Sequence, residues 1–438
     1  MDVPSLESKP GSGVLEAWAP LALLDFAPST PLPEVEKQGL TPVRLAWEQG
    51  RLREPQPLSA ERVPPSRMVL PRLVDCHVHL DKAYTWQEHP NLSGSYGGAL
   101  EANLREHSSR TMACVLQRGE RAMERAFAHG LRAMRSHVDS GGPGAEPSWD
   151  ALLTLQQRWH RRIDLQLVAL VPLEFWCSAE ADALARRVAA SGGCLGGVLT
   201  PPCGSAVVTE QLEVLLRLAD RHNCGVDLHI DEADHGAAQG MVQLLKALQR
   251  VPVQVPVTCS HASSLSLLPA SSLARLAERM AAAQLSVIAL PLTNAWLLSR
   301  ADDATPLQRP QAPIRQLQRS GVPVAVAGDN VADAWFPGGD FDPLALLAAS
   351  MPLTQLLPWQ RLGLAPFTTA PPAILQLEWD GVLRAGAPAD LISLEGQGWS
   401  DLIRCTPQRQ VLVDGHWQSS PGARHLSLIH ISEPTRPY

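Results

Sequence analysis

Lysine is scarce in this chain of 438 residues: of 37 basic residues, only Lys9, Lys37, Lys82 and Lys246 are lysines. Chemistry that needs a lysine at one buried position therefore has four candidates at most. A basic surplus is also missing. The net charge is -7, so neither a nucleic-acid polymer nor an anionic membrane is an expected partner. No CxxC pair occurs among the cysteines at 76, 114, 177, 194, 203, 224, 259 and 405. Most of them sit in apolar, strand-like runs where a thiol acts as a small hydrophobe. A reducing compartment without a disulfide framework is expected. The opening "MDVPSLESKP" lacks the basic-then-apolar layout of a signal peptide, which points to the cytoplasm. The longest uncharged run, between Arg279 and Arg300, contains Gln284, Pro291, Thr293 and Asn294. It reads as a helix end, a buried strand and a loop, not as a membrane span.

What remains is a hydrophobic content of 45%, enough for a large core in a chain of this length. Eight short apolar runs read as buried strands, at 73–80, 131–139, 163–173, 193–202, 225–230, 255–262, 285–291 and 322–330. Helical spacing appears between them at 98–129, 179–190, 209–222, 236–250 and 264–283. Strands alternating with helices imply parallel pairing, and eight units imply a (β/α)8 TIM barrel over 71–377. Segments 14–70 and 378–425 read as short strands and turns that pair as a small β-sandwich domain, with 1–13 as a disordered N-terminus. The last stretch, "LSLIHISEPTRPY" (426–438), resembles the translated read-through of a sequencing adapter. It and His430 are excluded from functional argument, and the natural C-terminus is then absent. Deleting 426–438 is expected to leave the melting temperature unchanged, because segments without buried contacts contribute little. A marked drop on deletion would contradict that origin.

Alternate residues of a strand share a face. In "LPRLVDCHVHLDKAYTW" (70–86), His77 and His79 therefore both point to the barrel axis at the C-terminal end of the first strand. Barrel enzymes keep their active sites at that end. An HxH pair alone is a weak signal, but other strand ends carry matching chemistry. The fifth ends in "DLHIDEADH" with His229 and Glu232, the sixth in "TCSHAS" with His261, and the eighth in "AVAGDNVADAWFP" with Asp329 and Asn330. Singly, His229 or His261 reads as a satisfied core histidine, and Glu232 as an exposed loop acid. Jointly, His77, His79, His229 and Asp329 form a hard nitrogen and oxygen set for a divalent metal. His137 in "RSHVDS" reads as a structural residue of the barrel interior.

Two-metal barrels of this kind bridge their ions with a carboxylated lysine at the end of the fourth strand. "GCLGGVLTPP" contains none, so one divalent ion is expected. Such an ion with an open position lowers the pKa of bound water to near neutrality. Glu232 can reach that position without being a ligand. His261 and Asp329 can take the water proton and hold the hydroxide.

Together "CHVHLDK", "MRSHVDS", "DLHIDEADH", "TCSHAS", "LPLTNAWLLSR", "GDNVADAWFPGG" and "AGAPADLISL", over roughly 70–395, resemble the cytosine-deaminase group of the amidohydrolase superfamily. The resemblance implies a metal-dependent barrel of nucleobase metabolism that hydrolyses an exocyclic amine on a small nitrogen heterocycle. Hydroxide would attack the amine-bearing ring carbon and ammonia would leave. It implies iron (Fe2+) or zinc (Zn2+) on His77, His79, His229 and Asp329. Glu232 matches the acid that protonates the ring nitrogen, His261 the histidine beside the metal water, and Trp335 an aromatic lining the pocket.

Two positions depart from the cytosine enzymes. Their glutamine after the third-strand proline is Leu173 here, with Glu174 next, and the aspartate after the metal aspartate is Asn330. Losing a buried partner for the pyrimidine edge costs about 1–3 kcal/mol. An amide both donates and accepts, so Asn330 reads a different edge pattern. Phe175 and Trp176 add aromatic surface that serves either the pocket or barrel packing. Cytosine or a related pyrimidine or triazine is the expected substrate class. The alternatives are hydrolysis of a ring amide or an N-alkylamine, and a non-catalytic metal-binding scaffold. A homo-oligomer is left open.

Overall fold

The computed structural model describes residues 11–59, 62–404 and 407–418; segment 426–438 lies outside them. Eight parallel strands form one sheet: Leu73–Val78, Leu131–Asp139, Asp164–Leu170, Cys194–Leu199, Gly225–Ile230, Val257–His261, Ser286–Ala289 and Val324–Val326. Each pairs with the next in chain order. They are called the first to eighth barrel strands below. The cylinder closes where Val78 bridges Asp329 in parallel and the Asp329 N–H donates to the His77 carbonyl at 2.8 Å. That closure sets Asp329 beside the paired histidines of the first strand.

Each strand core is buried on both faces, as parallel strands covered by helices must be. Leu131, Leu167, Leu228 and Val287 are fully buried on this barrel. Each such side chain stabilises the fold by about 1.5–3 kcal/mol relative to exposure. The helical reading of 98–129 is corrected to two helices, Tyr96–Ser108 and Met112–Ala128. The break falls at Thr111, whose hydroxyl caps the second helix by accepting from the Cys114 N–H at 3.2 Å. Pro269 likewise splits 264–283 into a 3-10 turn, Ser263–Leu267, and the helix Ala270–Ala282. Helix Ala145–Trp159, after the second strand, was not among the expected helices.

A separate mixed sheet draws on both chain ends. Strand Arg67–Pro71 lies parallel to Gly13–Pro20 on one side and antiparallel to Leu391–Glu395 on the other. Leu40–Glu48 and Arg409–Val413 extend it outward. Its own core packs Val43, Leu45, Trp47, Val69, Leu391 and Leu412. Gly13, expected within a disordered start, already pairs with Trp47; residues 1–10 lie outside the described part. No described helix is long and apolar enough to cross a membrane.

Candidate active site

Five histidines and an aspartate converge at the C-terminal mouth of the barrel. Two overlapping triads bring their donor atoms within 4.8 Å of one another: His77, His137 and His229, and His77, His261 and Asp329. His79 joins through Asp329, its Nε2 lying 3.2 Å from Oδ1, while His77 Nε2 is 3.5 Å from the same oxygen. Ring centroids of His77 and His229 are 4.7 Å apart, and those of His79 and His229 5.5 Å apart. The structure thus gathers the four expected ligands. It also adds His137, which stacks on His77 at 3.8 Å.

The cluster has the electrostatics of a cation site. Burial, then the neighbouring imidazoles, push His77, His137 and His229 well below the ordinary histidine value, so each ring is neutral. Burial alone would raise Asp329, but His79 and His261 outweigh it and hold it ionised. His77 Nε2, His229 Nδ1 and Asp329 Oδ2 are buried without a hydrogen-bond partner among the described residues. Unpaired buried polar atoms are costly. Neutral imidazole nitrogens and a carboxylate are the donor set a divalent metal takes.

A relay under the cluster fixes which nitrogen of His77 faces inward. The Ser260 hydroxyl donates to Asp227 Oδ1 at 2.8 Å, and Asp227 Oδ2 accepts from Arg135 at 2.8 Å. With its proton committed, Ser260 can only accept from His77 Nδ1, 2.9 Å away. That leaves the Nε2 lone pair for the centre. Arg135, Asp227 and Ser260 read as ordinary strand residues in the sequence. Their parity with His137 and His229 on strands two and five is the signal that could have found the first two. We predict that Ser260→Ala weakens divalent-metal affinity about 10–100-fold, read by chelator competition. Unchanged affinity would refute the relay.

The backbone bends sharply where the strands deliver these groups. Asp231, His261 and Asp329 have φ of 56°, 72° and 62°, in the sparse left-handed region. Asp231 uses its carboxylate to accept the N–H groups of Gly240 and Met241 at 2.9 and 2.8 Å, anchoring helix Gln239–Arg250. A Cβ at Gly328 would lie 2.7 Å from Asp75 Oδ2 and would push that carboxylate away. Asp75 takes the Gly328 N–H at 3.1 Å and so seats the "GDN" turn that carries Asp329.

Glu232 is buried, with Oε1 3.4 Å from His261 Nδ1. Burial, then the Asp329 charge, push its carboxyl well above the usual range, which favours the protonated form. Burial pulls His261 down to about 4, and Asn294 Nδ2 lies 3.0 Å from its Nδ1. Asn330 donates to Asp333 at 2.8 Å, and Asp333 also accepts the Trp335 N–H at 2.8 Å. Asn330 therefore shapes the loop that presents Trp335. Leu173 is buried in the barrel core, whereas Glu174 is exposed. Trp176 is fully buried and donates to the Gly196 carbonyl at 2.8 Å, which makes it packing, with Phe175 against its ring.

Comparison with known proteins agrees with this geometry. A model of the amidohydrolase family matches residues 120–417. The chain is similar to a pterin deaminase of Rhizobium rhizogenes (strain K84 / ATCC BAA-868), with 32% identity over 369 residues, 83% of each chain. It is also similar to an N-isopropylammelide isopropyl amidohydrolase of Pseudomonas sp. (strain ADP), with 24% identity over 336 residues, 75% of this chain and 79% of that one. Among solved structures, a 5-methylcytosine deaminase from Klebsiella pneumoniae liganded with phosphonocytosine superposes with a TM-score of 0.77 at 23% identity. That match covers 92% of this chain and 99% of the other, and it speaks for the fold.

Proposed function

Because the chain belongs to the metal-dependent amidohydrolase family, as a hydrolase acting on carbon–nitrogen bonds, we propose that it is a hydrolytic deaminase of an amino-substituted nitrogen heterocycle. The observation that carries this reading is the buried Glu232 carboxyl, 3.4 Å from His261, set beside the cluster of histidines and Asp329 at the barrel mouth. One divalent ion, iron or zinc, would sit on His77, His79, His229 and Asp329. No lysine lies on the fourth strand to bridge a second, and Lys82 is held by Asp139 at 2.8 Å. When bound, the ion supplies the Lewis acidity that makes water nucleophilic at neutral pH.

The chain's own residues handle the protons. Glu232 gives its proton to the ring nitrogen beside the amine-bearing carbon as the water oxygen bonds to that carbon. Asp329 and His261 take the proton the water loses, and it passes to the departing nitrogen. The carbon–nitrogen bond then breaks and ammonia leaves, and the proton still on the new hydroxyl returns to Glu232 as the ring carbonyl forms. A group that gives up one proton and accepts another must keep its alternatives close in energy.

Cytosine is the weaker candidate within this class. Leu173 packs into the core in place of an amide that would read a pyrimidine edge. The similarity to a pterin deaminase favours a larger, two-ring amine. The test is ammonia release by metal-loaded protein from pterins, pyrimidines, purines and amino-triazines, with N-alkylamino-triazines included to detect alkylamine release. Ammonia from at least one ring amine is expected, with a pterin ahead of cytosine. Release from none would overturn the reading and favour a non-catalytic metal scaffold.

A further inference from the structure

The helix Tyr96–Ser108 follows the first barrel strand and is fastened across the mouth of the barrel. Arg110, just past its end, is fully buried. It donates to Asp81 at 2.8 Å, to Glu106 at 2.7 Å and to Asp139 at 3.0 Å. Lys82 donates to Asp139 at 2.8 Å, and Arg118 pairs with Glu106 at 2.7 Å. Three cations thus meet three carboxylates out of water, where each charge needs its partner. Asn103, within the helix, adds a bond to Asp139 at 3.3 Å. This network holds the helix to the ends of the first and second strands, so its first residue has a defined position.

That first residue is Tyr96. Its ring meets Trp335 edge-on, with centroids 5.0 Å apart at 76°. Its hydroxyl lies beside Thr200, just past the fourth strand, and is close enough to Glu232 and Asp329 to feel both carboxyl groups. Thr200 and Glu232 follow the adjoining fourth and fifth strands, while Asp329 follows the eighth on the other side of the cylinder, so a hydroxyl near all three lies toward the barrel axis. Thr200 Oγ1 and Trp335 Nε1 are buried without a hydrogen-bond partner among the described residues. Burial, then Glu232, raise the Tyr96 phenol above its ordinary value, so it remains an O–H donor at neutral pH.

We propose that Tyr96 is a specificity-determining residue, its hydroxyl and that of Thr200 pairing with a ring-nitrogen or carbonyl edge of the planar heterocycle held against Trp335. The inference rests on the deaminase reading. Tyr96 does not take part in proton transfer, which Glu232, Asp329 and His261 carry out. Its contribution is uniform binding, present in ground state and transition state alike. Such a contact appears in KM and leaves kcat nearly untouched.

The experiment compares wild type, Tyr96→Phe and Thr200→Val, each metal-loaded, on the best ring amine from the pterin, pyrimidine, purine and triazine panel. Tyr96→Phe keeps the ring against Trp335 and removes one hydroxyl. KM should rise about 5–100-fold, the loss expected for a buried partner left unpaired. The kcat should stay within about threefold, and metal content and melting temperature should match wild type. Thr200→Val should raise KM in the same direction. The double variant should cost less than the product of the two, because they share one substrate edge. A KM within twofold of wild type in both single variants would overturn the inference while leaving the deaminase reading intact. So would a loss in kcat at constant KM, or lost metal. Wild type that neither binds nor converts any ring amine would overturn both.

Discussion

His77→Ala protein is expected to leave metal loading without its ion and without detectable ammonia release, losing both together. His77 is the residue the two donor triads share. It is fully buried, and its Nε2 is one of the orphaned atoms at the centre. Removing a ligand should weaken metal binding by more than the roughly 100-fold upper range typical of a supporting residue. Ser260→Ala, one bond further out, should fall within that range, so the two variants form a graded pair. Metal analysis after dialysis is one readout, and thermal melting with and without added zinc is another. A ligand that binds only the folded state stabilises it by about 2.7 kcal/mol at 100 times its Kd. Wild type should show that rise in melting temperature, and His77→Ala should not. Full metal content in His77→Ala would mean that His137, stacked on His77, can take its place. The ligand set would then have to be redrawn around His137 and His229.

The alternation of side chains along a strand made much of this centre legible. His77 and His79 are two apart, so one inward residue implies the other. His229 and His261 at the fifth and sixth strand ends and Asp329 at the eighth gave the same level of the barrel from three further directions. The cylinder's closure through Val78 and Asp329 then brought the first and last of these together. What the sequence hid has a physical reason in each case. His137 reads the same whether it is a packed interior imidazole or a member of the cluster, because both demand a buried inward position. Arg135, Asp227 and Ser260 form a chain across the second, fifth and sixth strands, and no spacing along one segment records such a contact. The break at Thr111 was masked because helical periodicity continues on both sides of a capped turn. Tyr96 sits at a helix start where no periodicity applies. Its place over the axis depends on Arg110 and its three carboxylates, residues that pattern alone reads as a solvated face.

Glu232→Gln should keep the fold and the metal yet turn over at least about 100-fold more slowly, or about 2.7 kcal/mol of barrier. The substitution preserves side-chain shape and one acceptor oxygen, so the contact toward His261 at 3.4 Å and the burial change little. It removes the one feature the assignment needs, a proton that can be handed to the ring nitrogen and recovered. An amide cannot do this in the accessible pH range. Burial and Asp329 favour the protonated carboxyl, and proton transfer belongs to the chemical step, so its loss should appear in kcat and in kcat/KM alike. A rise in KM at constant kcat is instead the signature of Tyr96→Phe. Metal content equal to wild type separates this variant from His77→Ala, whose activity fails because the centre is not assembled. If Glu232→Gln turned over near the wild-type rate, the proton would have to come from elsewhere. His261 is held neutral at neutral pH, with its value pulled to about 4, and so has no spare proton to donate as an imidazolium. A fast Glu232→Gln enzyme would therefore require a substrate whose ring nitrogen needs no protonation, and the heterocycle class itself would have to change.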